Sequence, residues 1–305
     1  MPRDFHLDDR LALDQGLLHL DSEQLAFLQK TIGIQDEDAL REHIFSVQAE
    51  AYDVFPYSSI RSFTFLGLGI SRNPAWPEIL RILHTRPNAL LLDVGCCFGT
   101  DTRKAVSDGW PARSVIATDI IAEFWDLGRK LFRADSGDEV VEDIRYIQGD
   151  ILDSSYLATA PPAPTHECSA QTDVDTRKIT TLTELQHGVS AIHLSAIFHL
   201  FPESAQVYLA RALAGLLAPH RGACIFGWSV ASTSSQAELV CVQSGVSHPR
   251  LWLHSPGSWK DLWEDVFGET QVEVRAEVRD FENDVGVLLE NGDRPRMLVW
   301  SVTRI

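Results

Sequence analysis

No stretch of eighteen consecutive apolar residues occurs in the 305-residue chain, which argues against a membrane-spanning helix. The opening MPRDFHLDDR lacks the basic and then apolar order of a secretory leader. The expectation is therefore a soluble, intracellular protein, cytoplasmic by default. Clustered basic residues are missing too. Lys and Arg total 26 against 43 Asp and Glu, a formal charge of −17, and the bases fall in scattered pairs such as Arg129-Lys130 and Arg177-Lys178. So negative a chain repels a phosphate backbone, and nucleic acid is a poor partner. Five cysteines, Cys96, Cys97, Cys168, Cys224 and Cys241, include no CxxC pair and have no histidine nearby at ligand spacing. That argues against a disulfide frame and a zinc site, so no metal is expected and the thiols read as reduced. No internal repeat of fixed period is visible.

What is present is material for a large core: 45% apolar residues, with eight Trp and fourteen Phe. Residues 21 to 51 carry two capped amphipathic helices, one opened by Asp21 and one by Asp36. Residues 52 to 69 are aromatic and turn-rich, and Pro77 opens a further helix through Leu83. From residue 90 onward short apolar runs alternate with helical patterns, from ALLLDVG and TDTRKAVSDG to ACIFGWSV and SWKDLWEDVFG. That alternation specifies an α/β fold, a doubly wound and mostly parallel sheet covered by helices. The last two runs, TQVEVRAEV and RMLVWSVTRI, leave no room for a crossover helix and should pair as a terminal antiparallel hairpin. The expected organisation is a helical and aromatic lid segment over 1–85 and a ligand-binding domain over 86–305. Within the latter, the polar, proline-bearing stretch near 154–187 reads as a mobile insertion.

The stretch LLLDVGCCFGTD, residues 90 to 101, is a buried strand entering a glycine-flanked turn. In a doubly wound sheet this first strand ends at the switch point, where ligands bind. Gly95 and Gly99 let the backbone lie close to a ligand, and the following helix turns its positive end toward an anionic group. The G-x-x-x-G spacing fails the dinucleotide fingerprint, and Asp93 beside it disfavours a pyrophosphate. A cationic ligand with a small carboxylate suits the turn better, a pattern S-adenosylmethionine has. Asp119, about twenty residues on, closes the second strand where a carboxylate takes both ribose hydroxyls; Asp150 closes the third, with Ile120 and Ile151 as apolar neighbours of an adenosine. Ser195, at the fourth strand's end, bonds the methionine amino group or simply packs.

The ordered set resembles the class I S-adenosylmethionine-dependent methyltransferases, whose Rossmann-like sheet has seven strands and ends in an antiparallel hairpin. LDVGCCFGTDTRKAVSDGW, FWDLGRKLFRAD, VSAIHLSAIFHLF and HSPGSWKDLW are similar to a fungal branch that methylates secondary metabolites such as meroterpenoids and polyketide-derived acids. The resemblance implies methyl transfer to a small-molecule acceptor, most simply the oxygen of a carboxylate or hydroxyl. N- or C-methylation, and a non-catalytic binding protein on the same fold, stand as alternatives, and oligomeric state is left open. The usual loop has a glycine where this chain has Cys97, a departure the fungal branch shares. His199 and His254 are candidate bases, while His193 inside its strand reads as structural. Tyr57, Arg61, Phe63 and Phe65 offer a substrate wall with one cation, and Trp259 and Trp263, four apart, read as core.

Overall fold

The computed structural model describes residues 11–133, 143–165, 175–243, 250–282 and 288–305. Two helices open it. α1, Ser22–Ile32, is capped by Asp21, whose side chain accepts from the amides of Glu23 and Gln24 while Gln24 bonds back to the cap, and it stops at left-handed Gly33. α2, Glu37–Val54, is capped by Asp36 and buries Leu40, Ile44, Val47 and Ala51, one face at helical spacing. Each such aliphatic side chain is worth roughly 1.5–3 kcal/mol of burial. Short helical pieces follow: α3, Ser58–Arg61, and α4, Gly69–Arg72. The helix expected after Pro77 forms as two fragments, α5, Trp76–Leu80, and α6, Ile82–Thr85, parted at Arg81.

The strands and helices then alternate as the apolar runs require: β1, Leu90–Val94; α7, Thr100–Ser107; β2, Val115–Asp119; α8, Ala122–Leu131; β3, Arg145–Gln148; β4, Val189–Ser195; α9, Glu203–Leu216; β5, Cys224–Val230. After β6, Glu238–Gln243, and β7, Arg250–Leu253, come α10, Pro256–Phe267; β8, Val272–Asp280; β9, Leu288–Leu289; and β10, Arg296–Arg304. Seven strands form one sheet in the order β3-β2-β1-β4-β5-β10-β8. β1 pairs in parallel with β2 and β4, whereas β10 runs antiparallel to both β5 and β8, the expected hairpin. The strand order reverses between β1 and β4, which opens a crevice beyond their carboxyl ends.

Alternate residues face opposite layers. Leu92, Val94, Ile192 and Leu194 join Leu209, Leu213, Trp259 and Trp263 on one side; Leu91, Ala191 and Phe226 join Trp76 and Trp110 on the other. Trp259 and Trp263 are fully buried core, as expected. α2 packs on α8, so the N-terminal helices share a third cluster with Phe98, Ile121 and Phe124.

A small sheet in the order β7-β6-β9 was not expected from the sequence. Strands of two to six residues carry too few alternations to register as a pattern. The insertion expected near 154–187 lies in part, over 166–174, outside the described residues, as does Cys168. Its described flanks bury Tyr156, Leu157, Ile179, Leu182 and Leu185 in the core. Among the described residues no helix is long and apolar enough to cross a membrane.

Candidate active site

The glycine turn is built by backbone geometry. Gly95 and Gly99 have φ of 69° and 68°, and a Cβ would drive the first into Ile197 and the second into Arg103 and Trp125. Cys97 adopts φ 50° without being glycine, a conformation that costs roughly 1–2 kcal/mol. Its amide donates to Asp119 Oδ2 at 2.9 Å, while Asp119 Oδ1 accepts from Ile121 N at 2.9 Å. Asp119 thus ties the turn after β1 to the start of α8. Burial raises its pKa against the amides of Ile121, Cys97 and Ile120. The Cys96 and Cys97 thiols are pushed well up by burial and by Asp119, so both behave as inert filler.

Below the turn lies a buried polar chain. Register pairs Asp93 of β1 with His193 of β4, and Ser195 follows on the same face. Asp93 Oδ1 accepts from His193 Nδ1 at 2.8 Å, Oδ2 accepts from the Thr102 hydroxyl, and His193 Nε2 lies 2.7 Å from Ser195 Oγ. Burial opposes charge on His193, but the Asp93 hydrogen bond and the Asp101 carboxylate raise its pKa overall. Asp101 Oδ2 stands 3.9 Å from His193 Nε2, and its Oδ1 accepts from Ile70 N at 2.9 Å. Burial and neighbouring Asp93 push the Asp101 carboxyl up to about 6, against His193, the Ile70 amide and Arg72.

The other expected site residues distribute around this centre. Asp150 Oδ1 accepts from Leu152 N at 2.9 Å, and Ile120 and Ile151 are half-buried beside their acids. Trp125 stacks on Tyr146 at 4.9 Å and 8°, with the Arg103 guanidinium 5.3 Å from its ring. Tyr57 packs on Phe124 at 6.0 Å; burial close to Asp119 and Cys97 pushes its hydroxyl up to about 12. Phe65 meets Phe98 edge-on at 4.5 Å, and Phe63 adopts φ 59° beside it. Tyr57 and Phe65 therefore converge on the glycine turn and α8. Arg61 instead donates from Nε to Ala12 O at 2.9 Å.

His199 follows β4 in a 3-10 turn, its ring parallel to Trp228 at 6.5 Å, with Nδ1 accepting from Val230 N at 3.3 Å. His254 links β7 to α10, with Nδ1 3.0 Å from Ser258 Oγ and its ring edge-on to Trp259. Burial pushes both imidazoles down to about 4. The sequence reading missed Asp101, Gly69 and Trp228 at this centre. A glycine and a tryptophan leave no titratable signature, and Asp101 reads as an ordinary first-turn acid. Among the described residues no group of three or more His, Cys, Asp or Glu is placed to hold a metal.

Residues 14–66 match the family model of the meroterpenoid methyltransferase N-terminal domain. The chain is 29% identical over 242 residues to the O-methyltransferase atr3 of Stereocaulon alpinum, covering 79% of this chain and 61% of that protein. It is 26% identical over 275 residues to the methyltransferase ausD of Aspergillus calidoustus, covering 90% and 86%. Among solved structures, the glycopeptide N-methyltransferase MtfA bound to S-adenosyl-L-homocysteine aligns with a TM-score of 0.45 at 13% identity, covering 80% of this chain and 97% of that one. Residues 14–66 are thus similar to the N-terminal domain of the meroterpenoid methyltransferases, and the chain over most of its length is similar to fungal methyltransferases.

Proposed function

We propose that the chain moves the methyl group of S-adenosylmethionine to an oxygen of a small organic acceptor, with a carboxylate favoured over a hydroxyl. The sulfonium-bound methyl is already activated, so in-line displacement needs distance, alignment and exclusion of water. The observation that carries the reading is Asp119, held by backbone amides at both oxygens at the end of β2, where its carboxylate is to accept from the two ribose hydroxyls. In this reading Gly95 and Gly99, at positive φ, give the backbone approach, Asp150 accepts from the adenine amino group, and the half-buried Ile120 and Ile151 flank the base. Asp93 contributes indirectly: with both oxygens engaged by Thr102 and His193, it holds His193 and through it Ser195. Tyr57 and Phe65 furnish apolar walls, and Arg61 fastens the lid segment through Ala12.

The preference for a carboxylate rests on His199. An amide donates to its Nδ1, so that nitrogen carries no proton, and the neutral ring is protonated at Nε2. Such a ring donates a hydrogen bond to an acceptor oxygen and takes no proton from Nε2's side. A carboxylate arrives ionised and requires no base. His254, engaged by Ser258 and Trp259, supports α10 rather than the reacting atoms. The names of atr3 and of phiE, both O-methyltransferases, support oxygen as the methylated atom.

Turnover with a panel of aromatic and terpenoid acids, phenols and amines tests the reading. The expected product is heavier by one methylene and reverts to the acid in mild base, as a methyl ester does. Base-stable ethers alone, or N-methyl products, would reject it. kcat/KM should stay flat from pH 6 to 9, whereas an essential histidine base of ordinary pKa would impose a rise near 6.5. Asp119→Asn should weaken S-adenosylhomocysteine binding at least tenfold, about 1.5 kcal/mol, in calorimetry.

A further inference from the structure

The seven-stranded sheet ends on β8, whose outer flank pairs with no strand among the described residues. The ladder with β10 fixes which backbone groups that flank presents. Ile305 N donates to Gln271 O, so alternate residues from there, Glu273, Arg275, Glu277 and Arg279, bond β10. Val274, Ala276 and Val278 then turn their N–H and C=O groups outward. An open edge of nine residues is a template for a further strand.

The side chains select which strand. On one face β8 reads Glu273, Arg275, Glu277, Arg279, all exposed. Opposite them on β10 stand Thr303, Ser301, Val299 and Met297, so the neighbouring strand offers these charges no counter-ion. Their ion pairs run along β8 itself, Arg275 to Glu273 at 2.9 Å and Arg279 to Glu277. Such exposed pairs are worth little and leave each group free to turn outward. On the other face Val274, Ala276 and Val278 are half-buried against the core.

Acid and base alternating in this way are their own complement when the strand is reversed. Laid antiparallel about Ala276, a second β8 sets its Arg279 opposite Glu273 and its Glu277 opposite Arg275, and the same pairs recur beyond the two-fold axis. These are the non-hydrogen-bonded positions of the new ladder, where facing side chains come closest. A register shifted by two residues either way would set Arg against Arg and Glu against Glu. We infer that β8 pairs antiparallel with the β8 of a second copy of this chain, centred on Ala276, and joins the two sheets into one. Val274, Ala276 and Val278 of the two copies supply about six backbone hydrogen bonds. β8 runs parallel to β5, both being antiparallel to β10, so the two crevices open at opposite ends of the joined sheet and neither obstructs the other. A single shared strand buries less than the roughly 1,600 Å² of a standard interface, which makes the dimer one of about micromolar strength.

Sedimentation velocity on the full chain from about 1 to 200 μM, the range that brackets such an affinity, tests this. Wild type should pass from monomer to dimer. Arg275→Glu with Arg279→Glu makes the strand wholly acidic, and Glu273→Arg with Glu277→Arg makes it wholly basic. Each double variant alone should dissociate at least tenfold more readily, and an equimolar mixture of the two should dimerise again. Ala276→Pro removes an outward N–H while leaving the bonds to β10, so it should keep the Tm near wild type and yield monomer. Should Ala276→Pro fail to fold, the charge variants decide, since they alter only exposed side chains. A wild type that stays monomeric throughout, a dimer indifferent to these substitutions, or a mixture that remains monomeric overturns the inference.

Discussion

His199 and His254 are buried imidazoles pushed down to about 4, with a single ring nitrogen of each engaged by a neighbouring amide or hydroxyl. A ring whose folded pKa lies below its unfolded value of about 6.5 binds protons preferentially in the unfolded chain. Its contribution is whole above pH 6.5 and drains away as pH falls toward 4, amounting to a few kcal/mol per ring at most. His193, raised by Asp93, acts in the opposite sense: its contribution is present below pH 6.5 and lost as pH rises through its folded value. The slope of Tm between pH 6.5 and 4.5 should therefore be shallower in His199→Gln and in His254→Gln than in wild type. An unchanged slope in both would mean that neither ring is held neutral. At this scale the sequence disclosed residue types and little of their partners. Asp93 reads as a ligand group when only the glycine turn is in view, yet its oxygens are taken by His193, one hundred positions away, and by Thr102.

At two places elements touch so closely that only glycine fits between them. A Cβ at Gly128 of α8 would overlap the Phe98 carbonyl of the glycine turn, and one at Gly227 of β5 would overlap the Leu194 carbonyl of β4. Gly128→Ala should cost roughly 1–3 kcal/mol in urea unfolding and lower cofactor affinity together with it, since the turn must give way. Gly227→Ala should cost at least as much, because a strand backbone yields less than a turn; equal stability of both variants with wild type would refute the packing. The capped helices and apolar strands were legible because their signals are local: Asp21 and Asp36 mark helix starts, and the apolar runs of β1, β4 and β5 are buried on both faces. Register was not legible. The pairings Asp93 with His193 and Ser195 with Trp228 arise from how strands slide together, and no single strand encodes them. The break at Arg81 and the sheet β7-β6-β9 escaped for a related reason, being too short to show a period.

Across the whole molecule the N-terminal helices and the sheet domain share one apolar cluster, in which Leu28, Leu40, Ile44 and Leu66 meet Phe98, Phe124 and Leu131. Ion pairs cross the same boundary: Lys130 with Glu50, Lys104 with Glu23, and Arg72 between Asp21 and Glu282. The exposed pairs add little, and the apolar contact dominates. Removing residues 1–68 should therefore bare the Phe98–Phe124 face, yielding aggregated protein or a Tm lowered by ten degrees or more, as thermal scanning and size-exclusion chromatography would read. A soluble, equally stable remnant would show that the segment is only a detachable lid.

By itself the sequence determined the alternation of strand and helix, the terminal hairpin and the glycine turn with Asp119 behind it, because each is written in neighbouring residues whose backbone preferences and apolar spacing act over a few ångströms. Tertiary structure alone decided what stands around that turn: the engagement of Asp93 by His193, the Val230 amide set against His199 Nδ1, and the gap where Gly69, Asp101, Ser195 and Trp228 meet. Those are matters of distance and dielectric between residues far apart in the chain, and they come into being only when strand register and helix docking set them.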